Sequence, residues 1–124
     1  MKNFLVLLVV MAFFSACKYE YIKVEELPPI DDTVVISFAT DILPILTEHN
    51  CVACHSTGKT VPDLTAANAY QSLIGGGFVV ANNPEASGFY TFPNPTATTH
   101  RWEVFSRHQA ELIFAWINQG ANNN

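Results

Sequence analysis

The chain has 124 residues, a net charge of −5, 14% charged and 49% apolar side chains; that is one domain's worth of chain. Residues 1–16 hold one lysine and no acid, so the remaining 108 carry 5 Lys and Arg against 11 Asp and Glu, and with no basic run they make a poor nucleic-acid binder. Large aliphatic and aromatic residues recur throughout, which excludes disorder for most of the chain.

The first element is an address. Lys2 is followed by an unbroken apolar run of 11 residues, Phe4 to Phe14. A spanning helix needs roughly 20 apolar residues, so this run is the core of a secretory signal occupying residues 1–16. Ser15-Ala16-Cys17 follows. It resembles the lipobox of bacterial lipoproteins, although Phe14 stands where leucine is usual. The resemblance implies that Cys17 is diacylated and becomes the mature N-terminus. Residues 17–36 then form a lipid anchor and acidic linker, with five acids and the extended Pro28-Pro29 pair. Val34-Val35-Ile36 either ends this tether or adds a short strand.

A domain is expected over 37–124. Its first helix is predicted from about Thr40 to Asn50, with Thr40 as N-cap and Pro44 tolerated in the first turn. Phe38, Ile42, Ile45, Leu46 and His49 share one helical stripe. This helix runs into Cys51-Val52-Ala53-Cys54-His55. Four readings of that segment compete. A disulfide between Cys51 and Cys54 suits an oxidising compartment, but the thioredoxin-like setting needs alternating strands and helices that are absent here. A structural zinc needs four ligands, and no second cysteine pair exists to complete the set. Chance is the third. The fourth is c-type haem attachment, for which C-x-x-C-H is the signature. Two thiols add across the haem vinyl groups, so they must share one side of a short turn. The next residue, His55, is then carried under the iron as proximal ligand.

A second helix is predicted after Thr65 as N-cap, with Ala66, Ala69, Tyr70, Leu73 and Ile74 on one stripe and Gly75-Gly76-Gly77 ending it. A long loop, Phe78 to Phe105, is rich in Asn, Pro and Thr; a loop of that length in a small domain usually binds something. The third helix has the clearest limits. Ser106-Arg107-His108-Gln109 reads as a capping box and Gly120 as the C-terminal stop. Leu112, Ile113, Trp116 and Ile117 form its apolar stripe, and the Asn122-Asn123-Asn124 tail is expected to fray.

His55 through Leu64 resembles the c-type cytochrome pattern of C-x-x-C-H followed by Gly and then Pro-x-Leu, here Gly58 and Pro62-Asp63-Leu64. The arrangement of elements over roughly residues 38–121 resembles a class I c-type cytochrome. Ala69–Ile74, Pro84–Tyr90 and Trp116–Ala121 are similar to small haem domains of Bacteroidetes and Planctomycetes. The resemblance implies an all-α, class I cytochrome c-like fold, three main helices around one covalently bound haem c. It implies that the Pro62 carbonyl accepts the Nδ1–H of His55, that Leu64 packs against the haem face, and that Trp116 crosses Phe38 or Ile42.

Class I cytochromes usually take a methionine as sixth ligand. The only methionines are Met1 and Met11, both in the signal, so methionine ligation is impossible. The candidates are His49, His100, His108, Lys59 and an open site. His49 lies on the attachment side, His108 in the first turn of the last helix and Lys59 in the proximal loop. His100 lies in the distal loop, where the family places its ligand, and is the expected distal ligand. Arg101 is expected to pair with a haem propionate and Trp102 to cover the haem edge.

The expected function is one-haem electron transfer, because iron closed on both faces cycles between Fe(III) and Fe(II) without binding substrate. The alternative is an open iron site acting as a gas or peroxide sensor or catalyst; a third is a non-haem lipoprotein with an incidental C-x-x-C-H. No nucleophile–base pair or phosphate loop argues for an enzyme. The acidic surface favours a redox partner with a basic docking face. The lipid anchor places the chain in a bacterial cell envelope, on the periplasmic or cell-surface side of a membrane.

Overall fold

A computed structural model describes residues 30–31, 33–100 and 104–124. The signal, Cys17, most of the tether, Arg101 and Trp102 lie outside the described residues. Among the described residues all regular structure is helical. It comprises a π-helical turn Phe38–Ile42, α1 (Leu43–Glu48), a 3₁₀ turn Cys51–Ala53, α2 (Ala69–Gly75), a 3₁₀ turn Pro84–Ala86, α3 (Gly88–Thr91) and α4 (Arg107–Asn118). None of these helices is long and apolar enough to cross a membrane.

The first helical segment starts earlier than expected, because Ser37 rather than Thr40 caps it. The Ser37 hydroxyl accepts from the Thr40 amide, and Asp41 Oδ2 accepts the Ser37 amide at 2.7 Å. The Leu43 amide then reaches back five residues to the Phe38 carbonyl. Pro44 explains this wide turn: it has no N–H, and in a regular α-helix its ring would crowd the Thr40 carbonyl. Asn50, at φ +48, stops the continuation.

The ends of the domain cross at an aromatic cluster. Phe38 lies 5.3 Å from Trp116 and 5.3 Å, edge to face, from Tyr70. Trp116 is 1% exposed, and Ile42, Leu46, Leu73, Ile113 and Ile117 are buried around it. Each fully buried side chain of this size contributes about 1.5–3 kcal/mol. The tail is pinned rather than frayed. Trp116 Nε1 donates to the Asn122 carbonyl at 2.9 Å, and Tyr70 Oη to Ala121 at 3.0 Å. The Asn124 carbonyl accepts from Ser37 Oγ and from the Ala39 amide, and Asn124 Oδ1 from the Phe38 amide. The residues after Gly120 therefore close over the start of the first helix.

Residues 33–36 form no strand. The Gln119 side chain instead brackets them, its oxygen accepting from the Ile36 amide and its nitrogen donating to the Val34 carbonyl, both at 2.9 Å. Ile36 is buried in the core. The second helix begins three residues later than expected, with Asn68 at its start, because the Thr65 hydroxyl is spent on Asp63. The capping box of α4 forms: Ser106 Oγ accepts from the Gln109 amide while Gln109 Oε1 accepts from the Ser106 amide. Gly120, at φ +100, follows its end.

The long loop is not structureless. Its first half holds the 3₁₀ turn and α3, hung on fully buried Ser87. That hydroxyl accepts from the Val80 amide at 2.9 Å and donates to the Asn83 carbonyl at 2.9 Å. A four-residue helix shows no apolar periodicity, which is why the sequence reads here as loop.

Candidate functional site

The 3₁₀ turn Cys51–Ala53 presents Cys51 half-buried and Cys54 exposed, and the two are not bonded to each other. The His55 amide donates to the Cys51 carbonyl at 2.9 Å, turning the imidazole inward. The return of the chain is fixed by Leu64, whose amide donates to the His55 carbonyl at 2.8 Å. Asp63 locks that return. Its carboxylate accepts from Thr57 Oγ1 (2.6 Å), Thr65 Oγ1 (2.7 Å), the Thr65 amide (3.0 Å) and Asn68 Nδ2 (3.0 Å). Those donors, the Thr57 hydroxyl foremost, hold the Asp63 carboxyl well below the ordinary carboxylate range.

The consequence of the lock is the position of Pro62. His55 Nδ1 lies 3.2 Å from the Pro62 carbonyl oxygen. A carbonyl only accepts, so Nδ1 carries the proton and Nε2 keeps its lone pair for a metal. Leu64 is buried beside it and lines the same cavity.

That cavity has a volume of about 250 Å³. Cys51, Cys54, His55, Val61, Pro62 and Leu64 form one wall. Phe78, Phe89, Phe92, Pro93, His100 and Phe105 also line the cavity. Among the described residues, no Asp, Glu, Lys or Arg lines it. Val61 and Phe92, 69% and 53% exposed, stand at its mouth. Phe89 and Phe105 meet edge to face at 5.8 Å. Phe78 is set by the glycine turn after α2: a Cβ on Gly76 would come within 2.8 Å of its ring.

His55 and His100 face one another across this space, ring centroids 6.3 Å apart and planes 20° from parallel. With metal–nitrogen bonds of about 2.0–2.1 Å and ~1.1 Å from nitrogen to ring centre, two imidazoles on opposite sides of one metal have centroids about 6.2–6.4 Å apart. The observed separation matches that spacing. Among the described residues no group of three or more His, Cys, Asp or Glu gathers around a bare metal ion.

The other candidates sit apart from that pair. His49 lines the cavity, but its Nε2 donates to Gln109 Oε1 at 2.8 Å and its ring packs on Phe105. Lys59 is exposed, with Nζ donating to the Ala53 carbonyl. His108 is half-buried in the first turn of α4, with Nδ1 shielded from water. Sequence reasoning missed the phenylalanine wall. The signal was present: Phe78, Phe89, Phe92 and Phe105 are anomalous in a loop otherwise made of turn residues. Comparison with protein-family models, curated proteins and solved structures finds no match for this chain.

Proposed function

We propose that this protein is a membrane-anchored electron carrier of the class I c-type cytochrome kind, holding one covalent haem. The observation that carries the reading is the His55–His100 pair, 6.3 Å apart across an apolar cavity whose edge bears Cys51 and Cys54. The residues fit the group on three counts. The two thiols stand on one turn, the Pro62 carbonyl fixes the His55 tautomer that leaves Nε2 available, and the phenylalanine wall offers an apolar surface to a flat macrocycle.

Bound there, haem supplies one-electron Fe(III)/Fe(II) chemistry. The chain's own residues do the rest. Cys51 and Cys54 hold the group covalently. His55 and His100 would hold its iron, and the reading assigns the protein electron transfer rather than an enzymatic activity. Two imidazoles set the potential below that of a His/Met relative, since the thioether is what raises it. Leu64 and Phe89, which line the cavity, would keep water from the group. The net negative charge supports docking to a partner with a basic face, and Cys17 supports attachment to an envelope membrane.

The test is direct. Denatured protein should retain haem, read as added mass and as colour surviving acid-acetone extraction. The double variant Cys51→Ala with Cys54→Ala should lose it. Unchanged haem content and fold in that variant would sink the proposal.

A further inference from the structure

Gln109 is 8% exposed, one of two polar side chains buried among the described residues. The capping box of α4 accounts for one of its bonds, from the Ser106 amide to Oε1 at 2.8 Å. It accounts for neither of the others. Oε1 also accepts from His49 Nε2 at 2.8 Å, and Nε2 donates to Glu48 Oε2 at 3.0 Å. One buried amide thus joins the end of the distal loop to the cavity wall and to the end of α1.

The loop carrying His100 leaves and rejoins the domain at one neck. There the Phe105 amide donates to the Pro93 carbonyl at 2.8 Å. The Phe105 ring sits edge to face against both His49 (5.9 Å) and Phe89 (5.8 Å). Phe105, which closes the neck, and Ser106 beside it therefore rest on the same support: Ser106 directly on Gln109, and Phe105 on the imidazole that Gln109 orients.

We propose that Gln109 is a positioning residue for the distal side of the cavity. By holding Ser106 and His49, it fixes where the His100 segment rejoins the domain, and so sets how readily His100 yields to an external ligand. The inference rests on the haem reading above. Its chemistry is ligand exchange alone, with no electron transferred.

The experiment uses the full-length, haem-loaded ferric protein and cyanide as probe. Gln109→Ala removes both accepted bonds and should raise the cyanide binding rate about tenfold. Gln109→Glu combined with Glu48→Gln keeps an oxygen for the Ser106 and His49 donors, reverses the bond to residue 48 so that no two carboxylates meet, and should return the rate to within about threefold of wild type. Ile113→Val, a core change on the same helix, lowers stability without touching the neck and should leave the rate unchanged. Amide exchange at Phe105 and Ser106 should accelerate in Gln109→Ala and not in Ile113→Val. Haem-loaded Gln109→Ala protein with wild-type cyanide rate overturns the inference and leaves the haem reading standing. So does a rate increase that Ile113→Val reproduces or that Gln109→Glu with Glu48→Gln fails to reverse. Protein purified without haem overturns the reading and the inference together.

Discussion

Trp116 is where the two ends of the domain are clasped, and its removal should be felt throughout. The indole is 1% exposed, lies 5.3 Å from the Phe38 ring and donates to the Asn122 carbonyl. Truncating a buried tryptophan to alanine costs about 3–5 kcal/mol, and the lost aromatic pairing falls at the upper part of that range. A domain of roughly 90 residues has about 5–14 kcal/mol in all, so Trp116→Ala removes a large fraction of it. Trp116→Phe is the more discriminating change. It keeps a ring against Phe38 but gives up the Asn122 bond and part of the ring volume, about 2 kcal/mol together. At about 4–8 °C per kcal/mol the melting temperature should fall by about 8–16 °C. Thermal unfolding followed by far-ultraviolet circular dichroism, with wild type and variant loaded alike, measures this. A fall of under about 2 °C would mean that the indole N–H and the Phe38 crossing do not hold the ends together, and the core reasoning would be refuted.

Three further outcomes are expected. His100→Ala should turn a low-spin spectrum high-spin and admit carbon monoxide to the reduced protein, and added imidazole should restore the low-spin state; His108→Ala should do none of these, and a low-spin His100→Ala protein would place the sixth ligand elsewhere. Cys17→Ser should move the protein from the membrane to the soluble fraction or block its processing, because stable anchoring takes two or more acyl chains; wild type recovered wholly in the soluble fraction would exclude the anchor. The Asp63 carboxyl is held below its ordinary value of 3.8, so its contribution is fully present above that value and is lost as pH falls toward the depressed one. Urea unfolding should accordingly show Asp63→Asn less stable than wild type near neutrality, with the gap narrowing below about pH 4; a gap constant down to pH 2 would contradict the hydrogen-bonded lock.

Local signals carried part of this fold because their causes lie within a few residues. Ser106 and Gln109 are one helical turn apart, so the capping box needed only local chemistry to form. Cys51, Cys54, His55, Pro62 and Leu64 fall within fourteen residues, and their spacing alone confines them to one turn and its return. The start of the first helix was less legible. Ser37 and Thr40 are both good caps, and Asp41 Oδ2 settles the matter by accepting the Ser37 amide. Ser87 carried no signal either, since a serine that organises a loop through backbone groups looks like any turn serine.

The sequence by itself determined the apolar stripes, the helix stops and the clustering of thiols and imidazole on one short segment, all consequences of period, propensity and spacing. Only the tertiary structure decided what stands opposite. Phe89, His100 and Phe105 are brought against His55 and His49 by packing between segments about 40 to 60 residues apart. The C-terminal asparagines, polar and frayed by any local rule, are held by donors at the other end of the domain. Local rules concern a residue and its near neighbours, whereas a cavity wall and a pinned tail exist only once distant segments share a core.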